Sequence, residues 1–159
     1  MGTTTLVAAD GQTERGTSGS PLSVNLSGTN VTALGPYLGA GAGSTHKLIS
    51  AASTNGTNVK STPGALLGGV LTNYTTSIRY VKFYAKATAP TVGTDTPIMT
   101  VPLPPAAASG ATNVYLADIF GSYGLKFLLG IGYGITGALT DGDTTAVGAG
   151  DVSVSLSFV

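Results

Sequence analysis

The sequence predicts an all-β protein, an antiparallel β-sandwich preceded by an extended N-terminal arm. Three observations carry that expectation. In residues 151–159, DVSVSLSFV, Val152, Val154, Leu156 and Phe158 alternate with Ser153, Ser155 and Ser157, the period of a half-buried antiparallel strand. Short apolar stretches recur with turn signals about every 8 to 12 residues, the spacing of sandwich strands. Every window that might make an amphipathic helix is interrupted by Gly, Pro or β-branched residues.

The elements follow in order. Residues 1–45 read as the arm and residues 46–159 as the sandwich domain. The arm is dominated by hydroxyls and glycine, and within it Leu22, Val24 and Leu26 alternate with Ser23 and Asn25 as one short strand. GAGAG at 39–43 is a hinge, because glycine leaves φ and ψ little restricted. An arm of this composition orders on a partner rather than alone. HKLISAAS (46–53) opens the sandwich, and NGTNVKSTPG (55–64) breaks it with two turn dipeptides. ALLGGVLTNY (65–74) is a buried strand whose Gly68-Gly69 pair marks a bulge or a close backbone approach.

SIRYVKFYAKA (77–87) turns Val81, Phe83 and Ala85 to one side and Tyr80, Lys82, Tyr84 and Lys86 to the other. PIMTVPLPP (97–105) carries four prolines, which lack the N–H a ladder needs, so it belongs at a sheet edge or ends early. TNVYLADIFG (112–121) and GLKFLLGIGYGIT (124–136) continue the series of core segments. The whole makes seven or eight short strands.

Composition limits the function. Only 9% of residues are charged and the net charge is zero, against about 25% charged in ordinary domains. Such a surface repels its own copies weakly and suits a protein packed against others. The seven Lys and Arg are scattered from Arg15 to Lys126 without a basic stripe, so no nucleic-acid partner is expected. The absence of cysteine excludes disulfides, thiolate catalysis and Cys-based metal sites. The first residues lack the cationic and apolar regions of a secretory signal, and Thr5 is misplaced by one for a myristoylation signal. The longest apolar stretch, 125–139, contains Lys126 and four glycines and is shorter than the roughly 20 residues of a spanning helix, so no membrane partner is expected.

Two patterns in residues 130–151 touch on chemistry. Gly132, Gly134 and Gly137 spell G-x-G-x-x-G, but a dinucleotide fingerprint must open a helix, and ALTDGDTTAVGAGD does not make one. Asp141, Asp143 and Asp151 offer oxygens to a cation, yet the spacing and closing Glu of a calcium loop are missing. Asx turns account for them instead. No cofactor or metal is expected. Catalysis is not expected either: His46 is the only histidine and Glu14 the only glutamate, both in or beside the arm, while Asp95, Asp118 and the loop acids read as turn or strand-end residues. Four glycosylation sequons, at Asn25, Asn30, Asn55 and Asn73, follow from a composition rich in Ser and Thr. The outward face of Tyr80, Lys82, Tyr84 and Lys86 admits a stacking platform for sugars or single strands, a face under a loop, or a subunit contact. The subunit contact is the expectation.

The blocks RYVKFYAKATAPTVGTDTPIMTVPLP (79–104) and YGITGALTDGDTTAVGAGDVSVSL (133–156) resemble a family of small virion structural proteins of tailed bacteriophages and prophages. The resemblance covers roughly residues 46–159. It implies a β-sandwich of jelly-roll or immunoglobulin-like type, a structural place in the virion assembled in the host bacterial cytoplasm, and no catalytic residues. The expected function is a head decoration or cement protein. Its partners would be the major capsid protein or other virion proteins and its own copies, as a homo-oligomer with a trimer favoured. Leu22, Val24, Leu26, Leu34 and Tyr37 of the arm join Tyr80, Lys82, Tyr84 and Lys86 as the expected shell or subunit contacts. The alternatives are a neck, tail or fibre-base protein of the virion, or a carbohydrate-binding host-attachment module with the tyrosines as its platform.

Overall fold

The computed structural model describes the backbone of Leu6–Val7 and Thr13–Glu14, and residues 43–108, 110–121 and 124–159. The chain divides into two units, Met1–Gly41 and Ala42–Val159. In the first, β1 (Leu6–Val7) pairs antiparallel with β2 (Thr13–Glu14), Leu6 opposite Glu14 and Val7 opposite Thr13. The arm strand expected at Leu22, Val24 and Leu26, the positions Leu34 and Tyr37, and residues 39–42 of the hinge lie outside the described residues.

The second unit is an all-β sandwich. Its elements are β3 (Ser44–Ile49), β4 (Thr57–Lys60), β5 (Gly64–Asn73), β6 (Arg79–Ala85), β7 (Met99–Leu103), β8 (Thr112–Tyr115), α1 (Leu116–Phe120), β9 (Leu125–Phe127), β10 (Ile131–Thr136) and β11 (Val152–Phe158). Sheet I has the order β4-β10-β6-β7 and sheet II the order β3-β11-β5-β8, with β9 also on β5. Every pairing is antiparallel.

The period-two patterns place the core. Val152, Val154 and Leu156 are buried while the serines between them are half-buried, and Val81 and Phe83 meet Ile131, Tyr133 and Ile135 on the inner side of sheet I. The proline-rich β7 lies at the edge of sheet I, where missing N–H groups leave no neighbouring strand unpaired. Both readings of Gly68-Gly69 are realised. The β5–β11 register shifts beside Gly68, and Gly69, at φ +152°, lets the Ser155 carbonyl approach where a side chain would stand.

Three elements depart from expectation. Residues 57–60 form β4, although the turn dipeptides around them read as a break. Asn55 supplies the turn before β4 at φ +50°, accepting from the Ala51 amide at 2.8 Å and donating to the Ser53 carbonyl at 2.8 Å. The expected strand 112–121 stops at Tyr115 and becomes the one-turn helix α1. β8 pairs with Val70–Asn73 and β9 with Gly64–Leu66, so the two share one edge of β5, and α1 bridges the gap between them. Leu116 of α1 is buried in the core, and Ala117 lies over Gly68. Finally, nine strands build this unit among the described residues.

The sheets are clasped at one end by polar groups. Asn73, fully buried at the end of β5, points its amide at the carbonyls of Ser77 (2.8 Å), Leu103 (3.2 Å) and Pro104 (3.0 Å), and its oxygen accepts from the Thr75 amide at 2.9 Å. Arg79 Nη2 on β6 donates to Asp151 Oδ2 at 2.9 Å, just before β11. Both contacts tie sheet I to sheet II. Asn73→Ala leaves several buried groups unpartnered and is expected to destabilise the fold by about 2–4 kcal/mol, read as a lower denaturant midpoint.

Candidate functional site

The two sheets differ in what covers their outer faces. On sheet I, Gly132 is paired with Tyr84 and Gly134 with Lys82, and all four turn away from the core. The loop from β6 to β7 crosses this face. Pro90 sits where a Cβ of Gly132 would come within 3.1 Å, and Val92 closes still more tightly on Gly134. The connection from β10 to β11 lies beside it, with Thr144 against Gly93 and Gly137 N donating to the Thr145 carbonyl at 3.0 Å. The G-x-G-x-x-G pattern thus serves close backbone packing.

The acids of the connection hold turns. Asp143 accepts from the Ala138 amide at 2.8 Å, the Thr145 amide at 3.1 Å and the Thr145 hydroxyl at 2.6 Å. Burial opposes its ionisation, but these hydrogen bonds and the nearby Lys82 ammonium hold its carboxyl below the ordinary range. Asp151 accepts from the Gly148 amide at 2.8 Å as well as from Arg79. Asp95 accepts from Lys86 and from the Thr91 amide, and both contacts lower its pKa. Among the described residues no three His, Cys, Asp or Glu side chains gather as a metal site.

This cover corrects the expected subunit contact. The sequence assigns Tyr80, Lys82, Tyr84 and Lys86 to the outer face of β6, but Lys82 is 0% and Tyr84 1% exposed, closed in by the chain's own loops. Lys82 Nζ donates to the Thr140 carbonyl, and the Tyr84 hydroxyl is buried with no hydrogen-bond partner among the described residues. Burial, and then the charges of Asp141 and Asp95, raise the Tyr84 pKa. Neither side chain reaches a neighbouring subunit, and Tyr84 cannot stack on a sugar from this position. Tyr80 is half-buried, and Lys86 is held in its ion pair with Asp95.

Among the described residues of the second unit, no loop covers the outer face of sheet II. Its rows run Ile49, Ser153, Thr72, Asn113; then Lys47, Ser155, Val70, Tyr115; then Thr45, Ser157, Gly68. The centre is built of small side chains, and a shallow hollow of about 420 Å³ opens over Thr45, Ser155, Ser157, Gly69 and Val70. Around it stand large exposed side chains: Ile49 (64% exposed), Tyr115 (51%) and Tyr74 (51%), whose hydroxyl is 3.3 Å from Ser153 Oγ. The alternating serines announce a polar face in the sequence. The hollow depends on cross-strand register, which the alternation does not carry.

Beneath β3 lies a second inter-sheet contact of titratable groups, besides Arg79 and Asp151. His46 Nε2 is 3.0 Å from Tyr133 Oη on β10, and the rings meet edge to face at 5.7 Å. Burial raises the Tyr133 pKa to about 12, with the Thr57 hydroxyl acting against it, and burial lowers that of His46. The pair joins β3 of sheet II to β10 of sheet I.

The fold and its surface define a class: a β-sandwich with one face sealed by its own loops and the other left uncovered by the described residues. Comparisons with family models, curated proteins and solved structures return no match.

Two outcomes follow from the buried groups. Lys82→Ala is expected to destabilise by about 2–4 kcal/mol and Lys82→Met by less than about 1 kcal/mol, since the methionine keeps the packing volume and removes a buried charge; denaturant melts measure both. His46 is harder to protonate in the folded chain than its ordinary pKa of 6.5, so the unfolded state takes up the proton first. Its contribution is therefore fully present above pH 6.5 and lost as pH falls through the lower folded value. Stability measured against pH shows that slope, and His46→Gln removes it.

Proposed function

We propose that this chain is a structural protein of a tailed-phage virion, a head decoration or cement protein that buries surface against the shell and against copies of itself. The observation that carries the reading is the open outer face of sheet II, where exposed Ile49, Tyr74 and Tyr115 surround a hollow of small side chains. Large exposed side chains around a shallow hollow suit contact with another surface. The resemblance of residues 79–104 and 133–156 to virion proteins supplies the setting, and the low charge of the chain favours dense packing on a particle. The N-terminal arm, residues 1–45, reaches a neighbouring subunit or the shell, and self-association follows the threefold symmetry of the sites it occupies.

Mass spectrometry of purified particles tests the position. A copy number comparable with that of the major shell protein is expected; a small fraction of it assigns the chain to the neck, tail or fibre base instead. Deleting residues 1–41, the first unit, is expected to lower occupancy on the shell, and unchanged occupancy sinks the role of the arm.

A further inference from the structure

We propose that the open face of sheet II is the contact between copies of this chain, the β3 half of one face meeting the β8–α1 half of the next. The inference rests on the self-association proposed above and assigns it a surface. The face carries both members of a fit. Tyr115 is exposed on β8, with Ile119 exposed on α1 beside it, and the hollow of Thr45, Ser155 and Ser157 lies across β5 on the β3 side. A tyrosine delivers a large apolar area with a polar tip, which suits a mainly apolar hollow edged by hydroxyls.

Charge sets the same register. Lys47 is exposed on β3, and Asp118 is exposed on α1, beyond β11 and β5. Neither has an ion pair among the described residues. Setting the β3 half of one copy on the β8–α1 half of the next brings Lys47 to the Asp118 of its neighbour. Lys126, exposed on β9 opposite Ala65, would face Lys47 in a shifted register and disfavours it. Since both halves lie on one sheet face, two copies related by a twofold axis make the contact twice and close a pair.

Sedimentation velocity of the full chain from about 1 to 100 µM, the range of a moderate self-affinity, tests this. A concentration-dependent dimer is expected. Lys47→Asp and Asp118→Lys should each weaken association by about 5- to 10-fold, and the two together should restore it to within about twofold, as a double-mutant cycle reads a direct pair. Ser155→Trp fills the hollow and should leave the chain monomeric, with circular dichroism checking that it remains folded. A wild-type chain that stays monomeric throughout overturns the contact, and if that chain still occupies shells the decoration reading stands. An oligomer indifferent to all these substitutions, or a charge swap without recovery, also overturns it, while leaving self-association intact through another surface.

Discussion

The seating of Pro90 and Val92 on the bare backbone of Gly132 and Gly134 decides the character of the molecule. Where β10 lacks side chains, the loop between β6 and β7 can lie directly on sheet I. It then covers the neighbouring strand, and Lys82 and Tyr84 become interior groups. Burying an ammonium is unfavourable unless a partner compensates, and the Thr140 carbonyl of the second connection provides one. The two connections are thereby coupled: one rests on glycines, the other is held by a lysine that the first helps to bury. A side chain at Gly134 would displace Val92 and loosen both.

From that seal follows the asymmetry on which any functional reading turns. A five-stranded sheet whose outer face is made of Ser, Thr and Gly presents little charge and little relief at its centre. Its exposed aromatic and aliphatic groups stand at the margins. Contact through such a surface draws on shape and apolar area more than on ion pairs, in keeping with a chain that is 9% charged.

Much of this fold was legible. The alternation in β11 and β6 gave the correct inward residues, the prolines of β7 gave an edge, and the glycine pair in β5 gave an irregularity where one occurs. What escaped has a physical reason in each case. β4 is four residues long with Val59 as its only large apolar side chain, so no periodicity can emerge from it. α1 is a single turn without a capping side chain, too short for a helical pattern. Alternation also says which way Lys82 and Tyr84 point but nothing of what lies upon them; their cover comes from residues 86–98 and 137–151, remote in sequence. The open face was half legible: its serines were plain, while the hollow exists only once β3, β11 and β5 are aligned.

The order in which the sheets can form is also written in the topology. Sheet I has all four of its strands once Thr136 is made. Sheet II has no centre until β11 arrives, since β3 and β5 pair only with strands that follow them, and Ser50 meets Val152 across 102 residues. During synthesis the apolar inner side of sheet I therefore waits for β11, and β3 upon it, to complete its partner layer. Pairings this distant close slowly, and a waiting apolar surface is prone to aggregate. The same long-range strand that completes the open face makes the growing chain dependent on being kept apart from its neighbours until it is finished.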